Sequence, residues 1–253
     1  MSRPELHPAT RGFGLAADVY ERGRPDYPSA AVRRLAQRLD LRPGRTVLDL
    51  AAGTGKLTRL LVPTGANVLA SEPIREMRDE LERRVPEAIA MGGTAEGIPL
   101  VDQYVDAVTV AQAFHWFQAD QALHEIRRVL RPGGGLALIW NTRDDRNELN
   151  AAITAILDPL GRDIPRRRQR DARAILDESR LFTKCETALF KHRQKLDEEG
   201  LVERVLSISF VASATRAVRA DVEARVRALA QARDGRIRLP YVTEVYLAFR
   251  PAN

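Results

Sequence analysis

Thr46-Val47-Leu48-Asp49-Leu50-Ala51-Ala52-Gly53-Thr54-Gly55 joins a short apolar run to an alternation of glycines, with one acid just before the join. Residues 46–50 read as a short buried strand. Gly53 and Gly55 permit positive φ and let a ligand approach the backbone closely. The helix expected over 55–62 would present free N–H groups to a carboxylate or phosphate. A phosphate-binding P-loop needs Lys followed by Ser or Thr, but Lys56 is followed by Leu57. A dinucleotide fingerprint needs Gly or Ala three positions after Gly55, where Thr58 stands. What remains is an acidic residue, Asp49, closing a strand ahead of a glycine loop.

Outward from this loop, strands and helices alternate. A helix is expected over 28–40, where Val32, Leu35, Ala36 and Leu39 recur at helical spacing. Strands are expected at 67–71, 88–93, 106–112 and 136–141. Helices are expected at 74–85 and 119–130, the second closed by Arg131-Pro132-Gly133-Gly134-Gly135. Such alternation implies parallel βαβ units with helices on both faces of one sheet. Ligands of such sheets bind beyond the carboxyl ends of the strands. From residue 146 the pattern changes. Helices are expected over 146–160, 167–181 and most of 198–232, with strands at 188–196 and 241–249. The chain therefore reads as one domain over 1–253. It comprises an N-terminal lid and helix (1–45), a cofactor-binding core (46–145), a helical cap (146–181) and the final strands and helices (182–253).

Composition narrows the class. The chain has 253 residues, 44% hydrophobic and 29% charged, which is ordinary for a globular protein. No apolar stretch reaches the roughly 18 residues of a membrane span. The N-terminus lacks the apolar core of a signal peptide, so a cytoplasmic protein is expected. Cys185 is the only cysteine, which excludes an internal disulfide and a cysteine-based zinc site. No metal is expected. The formal net charge is +6, and only four of the 40 basic residues are lysines. Most arginines have acidic neighbours in sequence and read as solvated helix faces. The densest basic run, Arg166, Arg167, Arg168 and Arg170, is the main feature favouring a nucleic acid.

VLDLAAGTGKLT resembles motif I of class I S-adenosylmethionine-dependent methyltransferases, with Ala51 at the first glycine position and Gly53 and Gly55 matching. Glu72 ends the second strand at the place where the family's acid accepts bonds from ribose hydroxyls; read locally, beside Pro73, it instead caps the helix that follows. Gly93-Thr94-Ala95-Glu96 resembles the adenine-binding segment, and VDQYVDAVTVAQAF, with Asp102 and Asp106, resembles motif IV. IRRVLRPGGGLALIWN matches the family's fifth unit. The resemblance covers residues 46–141. The chain resembles the ubiquinone/menaquinone-biosynthesis-type methyltransferase-domain superfamily, and Phe114-His115-Trp116-Phe117 resembles a branch with trans-aconitate-type small-molecule enzymes.

The resemblance implies a doubly wound, Rossmann-like, seven-stranded and mostly parallel sheet with an antiparallel last strand. It implies S-adenosyl-L-methionine as cofactor and a small-molecule methyl acceptor. The cofactor-binding residues it implies are Tyr20, Asp49, Ala51, Gly53, Thr54, Gly55, Glu72, Pro73, Met77, Thr94, Ala95, Glu96 and Gln112. Arg24, His115, Trp116, Phe117, Trp140 and Asn141 would face the acceptor, with His115 the candidate catalytic base or positioning group. Arg24 is equally a candidate for the cofactor's carboxylate, and Met77 for the core. His7, His124 and His192 have no context that supports a role. RNA methylation and non-catalytic cofactor binding are the alternatives. Against RNA stand the absence of an evident added binding domain and the presence of Gln112-Ala113-Phe114 where amino-purine enzymes carry an Asn/Asp-Pro-Pro-aromatic motif. The acceptor, and the choice between monomer and homodimer, are not legible.

Overall fold

The computed structural model describes residues 23–160, 172–233 and 236–252. They build one seven-stranded sheet in the order β3-β2-β1-β4-β5-β7-β6. The strands are β1 (Thr46–Leu50), β2 (Asn67–Ser71), β3 (Ile89–Met91), β4 (Val105–Ala111), β5 (Leu130–Arg143), β6 (Glu186–Leu196) and β7 (Ile237–Phe249). Pairings from β3 through β5 are parallel, whereas β7 runs antiparallel to both β5 and β6. The expected seven-stranded sheet with an antiparallel last strand is therefore present. β1 lies between β2 and β4, so the chain winds outward from it in two directions. That change opens a crevice at the carboxyl ends of β1 and β4.

Helices cover both faces because β1 is apolar on both. Val47 packs with α1 (Ser29–Arg38) through Ala31, Leu35 and Leu39. Leu48 and Leu50 point the other way, into a core shared with α4 (Ala119–Val129) through Leu123 and Ile126. The helix expected over 55–62 is shorter. α2 spans only Thr58–Leu61 and continues as a 3-10 turn over Val62–Thr64. Gly53 and Gly55 have φ of +59° and +87°, outside helical geometry, and Pro63 lacks the donor a longer helix needs. Binding at this loop therefore falls to individual backbone N–H groups more than to a helix terminus. α3 (Arg75–Arg84) and β3 lie within the expected ranges. The Pro-Gly stretch 131–134 is a bulge inside β5, for Leu130 pairs with Val105 and Gly135 with Ala107.

The helices of 146–181 divide between two cores. α5 (Glu148–Leu157) packs with α7 (Glu198–Leu206), α9 (Arg216–Gln231) and the start of β7, through Leu149, Ile153, Leu201, Val226 and Leu239. α6 (Ala172–Ser179) instead joins the sheet core beside α4, through Ala172 and Leu176. The short α8 (Ser209–Ala212) links α7 to α9. α5, α7 and α9 thus form a second core with the extended end of β7. Tyr20 and the arginines at 166–170 lie outside the described residues. Among the described residues no helix is long and apolar enough to cross a membrane, and no cluster of metal-ligating side chains occurs.

Candidate active site

A small cleft, open to solvent, lies at the crevice. Ala51, Ala52, Gly53 and Thr54 line it from the loop after β1, Ala111 and Gln112 from the end of β4, and Asn141 from β5. Arg24, Pro25 and Tyr27 close it from the N-terminal side, and Arg204 from α7. Ala51 and Gln112 hold φ of +56° and +58°, a left-handed conformation that costs a non-glycine residue of order 1–3 kcal/mol. Two such residues on adjacent strand ends, both on the cleft wall, mark a site where backbone shape outranks comfort. A Cβ on Gly53 would meet nothing within 4 Å, so space lies open beside the loop. Gly55 differs. A Cβ there would meet Leu81 Cδ1 at 2.6 Å and Val85 Cγ2 at 2.9 Å, so this glycine seats the loop on α3.

Asp49 supports the loop from beneath. It is fully buried, and its oxygens accept from Thr58 Oγ1 at 2.7 Å and Thr109 Oγ1 at 2.9 Å. Burial pushes its carboxyl up to about 6, against the pull of those hydroxyls. Asp49 is therefore placed to position the loop and is not among the residues that line the cleft. Glu72 ties the loop to β2. Its Oε2 accepts from the Gly53 N–H and its Oε1 from the Ile74 N–H, both at 2.9 Å. The second contact is the helix-capping role the local reading describes. Burial raises its carboxyl to about 7 despite both bonds.

The remaining predicted cofactor residues sit apart from the cleft lining. Pro73 is half-buried, and Met77 is buried on the inner face of α3. Ala95 is 3% exposed, and Thr94 forms a bridge with Gly97. Glu96 accepts the Gln118 N–H at 2.9 Å and so holds the start of α4. Asp106 lies at the amino end of β4, opposite the cleft. Burial opposes its ionisation, but the Thr46 N–H, Arg131 and Arg45 hold its carboxyl below the usual range. It is a tie between strands. Asp102 pairs with Arg128 at the surface.

On the acceptor side the prediction splits. Asn141 Nδ2 donates to the carbonyls of Pro25 and Asp26, at 3.3 and 3.2 Å, while its Oδ1 accepts from Thr243 Oγ1 at 2.6 Å. Arg24 lines the cleft. Trp140 does not, because adjacent strand residues face opposite ways. It is buried against Tyr246 in the sheet core, ring centroids 5.7 Å apart. Phe114, His115 and Trp116 form a 3-10 turn. Phe114 is core, Trp116 and Phe117 pack against that core, and His115 is exposed with its ring 4.6 Å from Trp116. None of these four aromatic side chains lines the cleft. His192, given no role by sequence, lies within hydrogen-bond distance of Asn141 Oδ1 at 3.2 Å and stacks on Tyr241. Arg204 was likewise not anticipated. The available signal was its place three residues after Leu201, on the apolar stripe of α7. Cys185 is buried, and burial pushes its thiol up to about 11, away from the thiolate form.

A methyltransferase-domain family model matches residues 48–138, the sheet half that carries the loop. An uncharacterized methyltransferase of Mycobacterium bovis is 43% identical over 240 residues, which is 91% of this chain and 92% of that one. The chain belongs to the methyltransferase family. The ubiquinone/menaquinone biosynthesis C-methyltransferase of Pseudomonas aeruginosa is 34% identical to this methyltransferase over 145 residues, 51% of this chain and 57% of that one. A solved phosphoethanolamine N-methyltransferase of Haemonchus contortus, in complex with S-adenosyl-L-methionine, shares the fold of this methyltransferase. Its TM-score is 0.58 at 15% identity, covering 94% of this chain and 57% of that one. The methyltransferase family accounts for the motif order after β1, and makes this chain an enzyme.

Proposed function

We propose that this enzyme binds S-adenosylmethionine at the β1 loop and methylates a small-molecule acceptor held beneath the α5–α7–α9 cap. The observation that carries the reading is the open space beside Gly53, bounded by the strained Ala51 and Gln112 at the switch point of the sheet. When bound, S-adenosylmethionine supplies an electrophilic methyl carbon, whose bond to sulfur breaks in line with the bond forming to the acceptor.

The chain's own residues have three tasks. Ala51, Gly53 and Thr54 hold the donor along the loop, with Asp49 fixing that loop from below. Glu72 serves the ribose hydroxyls. Each of its oxygens already accepts one backbone N–H, and a carboxylate oxygen can accept a second bond. Thr94, Ala95 and Glu96, with Pro73 and Met77, form the adenine side. Gln112 serves the cofactor from the end of β4, and Arg24 orients the acceptor, with Asn141 fixing the Pro25–Asp26 backbone beside it, because holding the reacting atoms near one line is the main contribution a protein makes to such a transfer. His115 is a positioning group near the rim; a base is needed only where the acceptor must lose a proton.

Turnover against a panel of small acids, phenols and amines, followed by mass, tests this reading. The expected result is one acceptor class gaining a single methyl with stoichiometric S-adenosylhomocysteine. Saturable, salt-resistant binding of a defined RNA with methyl incorporation, and no small-molecule product, would contradict it.

A further inference from the structure

Arg204 stands where an amphipathic helix ordinarily places an apolar side chain. Leu201, Val202 and Val205 are buried along α7, and Arg204 is only 7% exposed among them. Its Nε donates to the Tyr241 hydroxyl at 2.8 Å, and its guanidinium lies 5.8 Å from the Tyr241 ring centroid. Its Nη1 is buried with no hydrogen-bond partner among the described residues. A buried charged donor left unmade is costly, so its presence calls for a ligand or another reason.

Two more guanidiniums converge on this place. The chain at Gly23 packs so closely on α7 that a Cβ there would meet the Glu203 carbonyl oxygen at 2.7 Å, which sets Arg24 beside Arg204. Arg24 Nη2 donates to the Ser207 carbonyl at 3.3 Å. Arg143 is paired in register with Tyr241, the residue that Arg204 covers. Burial, then the nearness of Arg204 and Arg24, pulls the Arg143 pKa below its ordinary value. Asp26 is paired with Lys56 and Arg59, whereas Asp145, which accepts from Thr154, offsets part of the charge on Arg143, itself a donor to Thr154 at 3.2 Å. Arg24 and Arg204 on the cleft wall, with Arg143 close behind them, disfavour one another, and an anion between them relieves this.

We propose that Arg204, with Arg24 and Arg143, is an anion subsite for the methyl acceptor, and that this acceptor is a small organic carboxylate. The inference rests on the donor site proposed above and names the substrate class of the same cleft. A carboxylate suits the subsite because the planar guanidinium fork presents paired N–H donors that match its two oxygens.

The test is the ligand-dependent thermal shift of the full chain saturated with S-adenosylhomocysteine. The probes are succinate, citrate and benzoate, with succinamide and benzamide as neutral counterparts. In the wild type at least one acid is expected to raise Tm saturably, and the amides are not. Arg204→Gln should weaken that acid at least tenfold and leave S-adenosylhomocysteine affinity within twofold. Arg143→Gln should act in the same direction, and it decides the matter if Arg204→Gln fails to fold. Amides binding as well as acids, or no response to any acid, would overturn the proposal. So would a tenfold loss of S-adenosylhomocysteine affinity in either variant, which would make these arginines partners of the cofactor's own carboxylate. If the wild type binds no S-adenosylhomocysteine, the donor-site reading fails first, and this inference fails with it.

Discussion

The two sides of the cleft are assembled differently. On the donor side, Asp49, the glycine loop, Thr58 and Glu72 lie within 24 residues of one another, and a strand, a turn and a short helix bring them together. On the acceptor side, Arg24, Asn141, Arg204 and Tyr241 come from four distant parts of the chain. Bonds such as Arg24 to Ser207, 183 residues apart in sequence, join them. The donor side is held by local geometry and positive φ. The acceptor side is held by packing of cap helices on extended strand ends. Substitutions should therefore damage the two sides in different currencies.

The largest effect is expected at Gly55. Gly55→Ala combines a left-handed backbone with a Cβ driven into Leu81, and should cost roughly 2–5 kcal/mol of stability. Gly53→Ala shares the positive φ but meets no atom, so it should lose only about 1–2 kcal/mol. It should instead weaken cofactor binding by filling the space beside the loop. Chemical denaturation and calorimetry on both variants check the pair; equal stability losses would erase the distinction between a seating glycine and a contact glycine.

On the acceptor side, Tyr241→Phe removes the oxygen that accepts from Arg204 Nε. Leaving that buried donor unmade should cost about 1–3 kcal/mol. Cofactor affinity should be unchanged, so a drop in it would show that the two sides are not separable.

Glu72 offers a pH test of the donor side. Its folded carboxyl, at about 7, lies above the ordinary 4.5. In the ligand-free fold this group's contribution to stability is therefore fully present below about 4.5 and is lost as pH rises through about 7. A ribose bonded to the carboxylate favours the charged form, so S-adenosylhomocysteine should bind more tightly at pH 8 than at pH 6. Glu72→Gln should weaken binding at least tenfold, since bonds to a charged group contribute about 1.5–3 kcal/mol each, and should flatten that pH dependence. Unchanged affinity would reduce Glu72 to its cap on Ile74.

The smallest effect is expected at His115, which is exposed and absent from the cleft lining. His115→Ala should keep measurable turnover and a flat pH profile. A loss of about 10²–10⁴ with a wild-type limb near pH 6–7 would make it the general base.

The same contrast explains what was legible. The sheet could be read because β1, β2 and β4 are short apolar runs bounded by turns. The glycine loop could be read because positive φ selects glycine. Two features near the loop were hidden by the same local logic. Ala51 takes the left-handed conformation without being glycine, and the glycines shorten the helix after them to Thr58–Leu61. On the acceptor side, strand alternation sends Trp140 into the core and Asn141 to the cleft, but reading that requires knowing which face the cap covers. Residues 146–181 read as two helices of one cap, yet α5 and α6 choose different cores. Arg204 was visible only as a charge on an apolar stripe, and Tyr241, its partner, lies 37 residues further on.

Isothermal calorimetry of the purified chain with S-adenosylmethionine, S-adenosylhomocysteine, NADH and ATP tests the central claim most directly. Micromolar, single-site binding of both S-adenosyl compounds is expected, with NADH and ATP failing to bind comparably. Tight binding of NADH with none of S-adenosylmethionine would contradict it.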